Sequence, residues 1–98
     1  MYVSAGVWED NMNYSIIALS SVTAAKRVER LALENGIFCQ TLHTPKIISK
    51  NGCSHSVRVK RHLTGDILGI CSELGIQVKG VYAERTVAKG RVEYEKID

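Results

Sequence analysis

The side chain of this sequence most suited to chemistry is the thiol of Cys53, which lies in a polar segment beside a glycine rather than on an apolar stripe. The thiolate is the nucleophilic form of cysteine, and nearby cationic groups increase the thiolate fraction. Lys50, His55 and Arg58 all lie within five residues of Cys53. This pattern predicts a reactive thiol whose charge these three residues tune, or beside which they bind a partner. An incidental loop cysteine is the alternative, and the residues alone leave it open.

The other two cysteines, Cys39 and Cys71, are better explained by packing. Cys71 lies on the predicted inward stripe of a helix, where a free cysteine behaves as a small hydrophobic residue. Cys39 lies on a predicted strand and would act as a resolving thiol only if the fold brought it beside Cys53. An odd number of cysteines without a CxxC spacing predicts neither a disulfide framework nor a structural zinc site.

Other kinds of chemistry lack their sequence patterns. His43, Cys53 and His55 could in principle supply three zinc ligands, but their spacing matches no known finger or helix site, so we expect no metal. The chain contains no GxSxG, GxxxxGK[ST], GxGxxG or HExxH motif. No cofactor is therefore predicted, and whether the chain is an enzyme stays open.

One basic run, residues 58–62 (RVKRH), stands out from a modest net charge of +3. Such a run attracts anions, although the solvated end of a strand explains it equally well. RNA-recognition sheets stack bases on strand aromatics, and the predicted third strand, SHSVRVK, has none. Nucleic-acid binding is therefore not expected, while anion binding through Arg58 to His62 remains an alternative.

The elements that must position these residues follow from hydrophobic periodicity and from capping residues. Ser20 or Ser21 is predicted to cap a first helix that Asn35-Gly36 closes, and Thr64 to cap a second helix that Gly75 ends. The predicted strands are residues 14–19, 37–42, 55–60 and 76–82. We therefore predict an α+β, ferredoxin-like βαββαβ sandwich, with an antiparallel or mixed four-stranded sheet and two helices on one face.

A chain of 98 residues is long enough for one hydrophobic core. We predict an N-terminal extension over residues 1–11 that could be flexible, a domain over residues 12–83, and a C-terminal extension over residues 84–98. That last segment could form an extra β-hairpin around Lys89-Gly90. No apolar stretch is long enough to cross a bilayer and no signal peptide is present, which predicts a cytoplasmic protein without membrane contact.

The order of these segments resembles a family of small bacterial and archaeal domains described as selenium/sulfur (Se/S) carrier-like, whose function is largely inferred. The resemblance covers about residues 12–83. It is carried by the helix AAKRVERLALENGI, by Thr44-Pro45 followed by Ile48-Ser49 and then Cys53, and by the later ILGICSELGIQVKGVY. The family cysteine is commonly followed by glycine, whereas here Gly52 precedes Cys53 and serine follows it.

The resemblance implies that Cys53 holds sulfur or selenium, as a persulfide or selenide, and passes it on. Donor and acceptor proteins would then be the partners. The alternative is a non-enzymatic module that binds a ligand or another protein through the open face of its sheet, as an oligomer such as a homodimer.

Overall fold

The computed structural model describes residues 14–48, 55–88 and 91–97. Its elements are β1 (Tyr14–Leu19), α1 (Val22–Glu34), β2 (Cys39–His43), β3 (His55–Lys60), a 3₁₀ turn (Arg61–Leu63), α2 (Thr64–Leu74), β4 (Gly80–Ala88) and β5 (Arg91–Lys96). The strands form one sheet in the order β2-β3-β1-β4-β5, and every neighbouring pair is antiparallel. Within these ranges, neither helix is long and apolar enough to span a membrane.

Helix α1 begins and ends at the residues that its sequence predicts. The Ser21 side chain accepts the backbone N–H of Ala24 at 3.1 Å, which satisfies one of the free donors of the first turn. After the helix, Gly36 adopts φ +76°, a left-handed conformation that costs glycine little. The buried stripe of α1 is Ala25, Val28 and Ala32.

Helix α2 departs from prediction at its start. Thr64 does not cap the helix: it is the first helical residue, and the preceding Leu63 makes no side-chain cap. The Thr64 hydroxyl lies 2.7 Å from both the Ser15 hydroxyl and the Arg61 carbonyl oxygen. The 3₁₀ turn places Thr64 beside β1, so its hydroxyl links the helix to the sheet. The predicted end at Gly75, with φ +70°, is confirmed.

A single hydrophobic core lies between the helices and one face of the sheet. The strands contribute alternate residues to this core. The central strand β1 is buried on its other face as well, where Ile16 and Ala18 are fully buried. The helices contribute the stripes predicted from their periodicity. The buried core residues are Ile17, Leu19, Ala25, Val28, Ala32, Val57, Val59, Ile67, Ile70, Cys71 and Val81.

The predicted α+β class, with two helices and an antiparallel sheet, is confirmed, but the sheet has five strands rather than four. The fifth is the second arm of the C-terminal hairpin, which pairs with β4 along the sheet edge. The fourth strand also begins later than predicted, at Gly80 rather than Ile76. Ile76 and Val78 are half-buried against the core instead of belonging to the ladder, so their alternation reflects packing alone.

Candidate functional site

The β2–β3 hairpin carries the loop that contains Cys53, and the described part of its base is well anchored. The imidazoles of His43 and His55, a cross-strand pair, have ring centroids 4.6 Å apart. The next residue, Thr44, is buried, and its hydroxyl lies 2.7 Å from the buried hydroxyl of Ser56. Ile48 is also buried, and its N–H donates to the Pro45 carbonyl at 3.0 Å. Both ends of the loop are therefore attached to ordered structure.

The predicted site residues are only partly described. Cys53 and Lys50 lie outside the described residues. His55 begins β3, two residues after Cys53, and Arg58 lies three residues further along the same strand. Because side chains alternate across a strand, His55 and Arg58 lie on opposite faces of the sheet. The structure therefore does not bring these two side chains together.

Cys39 begins β2, at the opposite end of that strand from the loop. Its cross-strand partner is Val59, whereas the loop leaves the hairpin at the His43–His55 pair. The four-residue separation corresponds to about 13 Å along the strand. Desolvation by burial, together with the nearby Glu29 carboxylate and Cys71, raises the pKa of Cys39 from 9.0 to about 11. At neutral pH this thiol is protonated and a poor nucleophile.

The raised pKa of Cys39 predicts a loss of stability in alkaline solution. The folded protein holds the Cys39 proton more tightly than the unfolded chain does, so this contribution to stability is complete below pH 9 and is lost as the pH rises through about 11. We expect the free energy of unfolding to fall over this range, and to fall less steeply in Cys39→Ser. Urea titrations of both proteins at pH 8, 9, 10 and 11 measure the difference. Identical slopes would contradict the assignment.

Cys71 lies inside the core, as its position on the inward stripe of α2 predicts. Its side chain is 1% exposed, and desolvation raises the pKa of its thiol. Cys39 and Cys71 are both free thiols. Neither has the accessibility and low pKa that a sulfur-transfer thiol needs.

A charged cluster lies on the sheet face opposite the helices. The Arg58 guanidinium donates to both carboxylate oxygens of Glu84, from Nε at 2.8 Å and from Nη2 at 3.0 Å. It also stacks over the Tyr14 ring, with Cζ 3.7 Å from the centroid. Since β3 and β4 flank β1, the ion pair bridges over the central strand. Bidentate geometry and stacking together fix the guanidinium in one orientation.

Two further residues extend this cluster. The Arg61 Nη2 donates to the Glu84 backbone carbonyl at 3.2 Å, while its buried Nε has no partner among the described residues. Tyr94 is the cross-strand neighbour of Glu84 on β5, and burial with that carboxylate raises the pKa of its phenol. Two guanidinium groups therefore contact Glu84, that of Arg58 at its carboxylate and that of Arg61 at its backbone carbonyl.

Sequence reasoning selected Arg58 but missed Tyr14 and Glu84. A signal for the pair was present, because an arginine in the middle of a half-buried strand requires an acceptor on a neighbouring strand. Glu84 falls in the predicted C-terminal extension, however, and only the strand order shows that β3 and β4 lie on either side of β1.

No metal centre is found in the part of the chain that the structure describes. Within those residues, no group of three or more histidine, cysteine, aspartate or glutamate side chains is placed to hold a metal ion. His43 and His55 lie together without a third such ligand among the described residues.

Comparison with known proteins identifies the family of this chain. The family model described as "Putative Se/S carrier protein-like" matches residues 13–83. This chain belongs to that family. The matched segment runs from the start of β1 into β4 and includes the whole loop between β2 and β3. Comparison with curated proteins and with solved structures finds no match.

Proposed function

We propose that this Se/S carrier-like protein carries sulfur or selenium on the Cys53 thiol. The observation that carries the proposal is the family match, which spans the loop containing Cys53. The other two thiols support it by exclusion, because burial raises the pKa of both Cys39 and Cys71. Cys53 is thus the thiol of this chain with a sequence environment suited to transfer.

The anchored base of the hairpin supports a loop that presents a thiol reproducibly. The Thr44–Ser56 hydrogen bond and the contact between the tilted imidazoles of His43 and His55 hold the two strands where the loop begins and ends. Cys53 is two residues from this base in the sequence. Lys50 and His55 are the cationic or ionisable neighbours proposed to favour its thiolate.

The transfer step needs no resident cofactor. The Cys53 thiolate attacks the terminal sulfur of a donor protein's persulfide, a bond forms between Cys53 Sγ and that sulfur, and the donor's S–S bond breaks. The donor leaves as a thiolate, and the sulfur atom arrives with its oxidation state unchanged. An acceptor thiolate then attacks the terminal sulfur of the Cys53 persulfide, the bond between that sulfur and Cys53 Sγ breaks, and Cys53 leaves as a thiolate. Donor and acceptor proteins are therefore the proposed partners.

Relative thiol reactivity tests the proposal. We expect iodoacetamide at pH 7 to modify Cys53 first, because its apparent pKa should lie below the ~8.5 of a free thiol. Cys39 and Cys71 should react far more slowly while the protein is folded. Peptide mass mapping at several pH values gives each rate. A Cys53 that reacts no faster than Cys39 would overturn the proposal.

The chain order of β1 to β4 with the two helices supports describing the domain as a ferredoxin-like βαββαβ unit. Its strand order, β2-β3-β1-β4, interleaves the two βαβ halves, because β3 lies between β1 and β2 and β1 lies between β3 and β4, and β5 extends the β4 edge.

A second candidate function is an interaction module that uses the open sheet face. Tyr14, Tyr82 and Tyr94 are partly exposed on that face beside Arg58, and tyrosine and arginine are enriched in protein interfaces. A homodimer would bury these four side chains. Light scattering across a range of protein concentrations would show a dimer mass under this proposal, and a constant monomer mass would contradict it.

A further inference from the structure

A cavity of about 490 Å³ lies at the end of the sheet away from the Cys53 loop. Its walls include Tyr14 at the start of β1, Phe38 just before β2, Gln40 in β2, and Arg58 and Lys60 near the end of β3. Cross-strand pairs hold these walls in register, since Tyr14 lies opposite Lys60 and Gln40 opposite Arg58. The volume is within the range of sites for small organic ligands.

The charged side chains that line this cavity are basic. Arg58, Lys60 and His62 line it, and none of its described lining residues is acidic. Lys60 forms no ion pair with any residue that the structure describes. Arg58 is already paired with Glu84, so the Lys60 ammonium is the cation of this recess without a described counterion, and a lysine beside an arginine suits phosphate.

Arg58 is already held in a geometry that can receive such an anion. Its Nε and Nη2 donate to Glu84, while Nη1 has no acceptor among the described residues. Glu84 and the Tyr14 ring fix the guanidinium, so binding does not have to order this side chain. Preorganisation of this kind lowers the entropic cost of association.

An aromatic residue stands at the cavity wall. The Phe38 side chain is 84% exposed, so the face of its ring is accessible to a ligand in the cavity. A ligand ring that stacks on Phe38 while its anionic group reaches Lys60 and Arg58 would satisfy both features.

We propose that this cavity binds a small phosphate ester that carries an aromatic ring. The phosphate contacts Lys60 and Nη1 of Arg58, and the ring packs against Phe38. This site is separate from the proposed thiol chemistry, because Lys60 lies five residues along β3 from His55, about 16 Å from the loop base.

Phenyl phosphate is the probe for this proposal, titrated into the full chain and followed by NMR. We expect saturable shifts at the Phe38 and Lys60 resonances, weaker binding of inorganic phosphate, and no binding of phenol. Lys60→Gln should lower the affinity for phenyl phosphate by at least about tenfold. Lys79→Gln, an exposed lysine outside the cavity, is the matched control and should leave the affinity unchanged.

Phe38→Ala should lower the affinity for phenyl phosphate but leave the affinity for inorganic phosphate unchanged. Leu33→Ala, at another exposed apolar side chain, is the control. The far-ultraviolet circular dichroism of each variant shows whether it folds, and His62→Gln replaces Lys60→Gln if that variant does not. Absence of saturable binding, or equal losses in Lys60→Gln and Lys79→Gln, would overturn the proposal. So would salt-sensitive binding of single-stranded RNA that displaces phenyl phosphate, because it would assign the site to a polymer.

Discussion

Replacing Cys53 with serine is expected to abolish sulfur loading of this protein. A serine hydroxyl cannot form the S–S bond of a persulfide, and at neutral pH it is not ionised, so both the carrier atom and the nucleophile are lost. The assay incubates the protein with a cysteine desulfurase and radiolabelled cysteine, then measures protein-bound label. We expect Cys53→Ser to retain only background label.

The controls for this prediction are Cys39→Ser and Cys71→Ala, which should load sulfur as the wild type does. Cys71 is replaced with alanine because a serine hydroxyl in the core would be left without a partner. Full loading of Cys53→Ser would contradict the account. Loss of loading in Cys39→Ser alone would reassign the carrier to β2.

The second large effect concerns stability. Arg58→Met is expected to lower the free energy of unfolding by about 2–4 kcal/mol, because the Glu84 side chain is only 12% exposed and would lose its bidentate partner. Chemical denaturation at pH 7 measures the change. Arg85→Met is the matched control, since the Arg85–Glu95 ion pair is exposed at 61% and 63% and should contribute at most about 1 kcal/mol.

A double variant separates the pair from its surroundings. Arg58→Met combined with Glu84→Leu removes both charges, so no carboxylate remains buried and most of the lost stability should return. If Arg58→Met and Arg85→Met lose the same stability, or if the double variant is no more stable than Arg58→Met, the Arg58–Glu84 pair is not the partly buried interaction described here.

The helix ends and the central strands of this fold could be predicted because local chemistry specifies them. Ser21 and Gly36 act through neighbouring backbone groups, and the alternation of Val57 and Val59 reflects the covered face of one strand. The start of β4 and the role of Thr64 could not be predicted in the same way. Ile76 has the same apolar character whether it packs on a core or pairs in a ladder, and only tertiary contacts distinguish the two.

The same distinction between local and tertiary interactions applies to the candidate site. Cys53 could be selected from its polar loop and cationic neighbours, which are close in sequence. The clustering of Arg58 with Tyr14 and Glu84 depends on two non-local strand pairings, β1 with β3 and β1 with β4. Arg58 and Glu84 are 26 residues apart in the sequence. Strand alternation places His55 and Arg58 on opposite faces of the sheet, and their assignment to the Cys53 thiol stays a prediction.

The most direct test of the carrier proposal is to locate the sulfur atom itself. The wild-type protein is loaded by a persulfide donor, treated with an alkylating agent that preserves persulfides, digested and analysed by mass spectrometry. The account predicts one additional sulfur atom on the peptide that contains Cys53, with Cys39 and Cys71 unmodified. An additional sulfur atom found only on Cys39 or Cys71, or on none of the three, would contradict it.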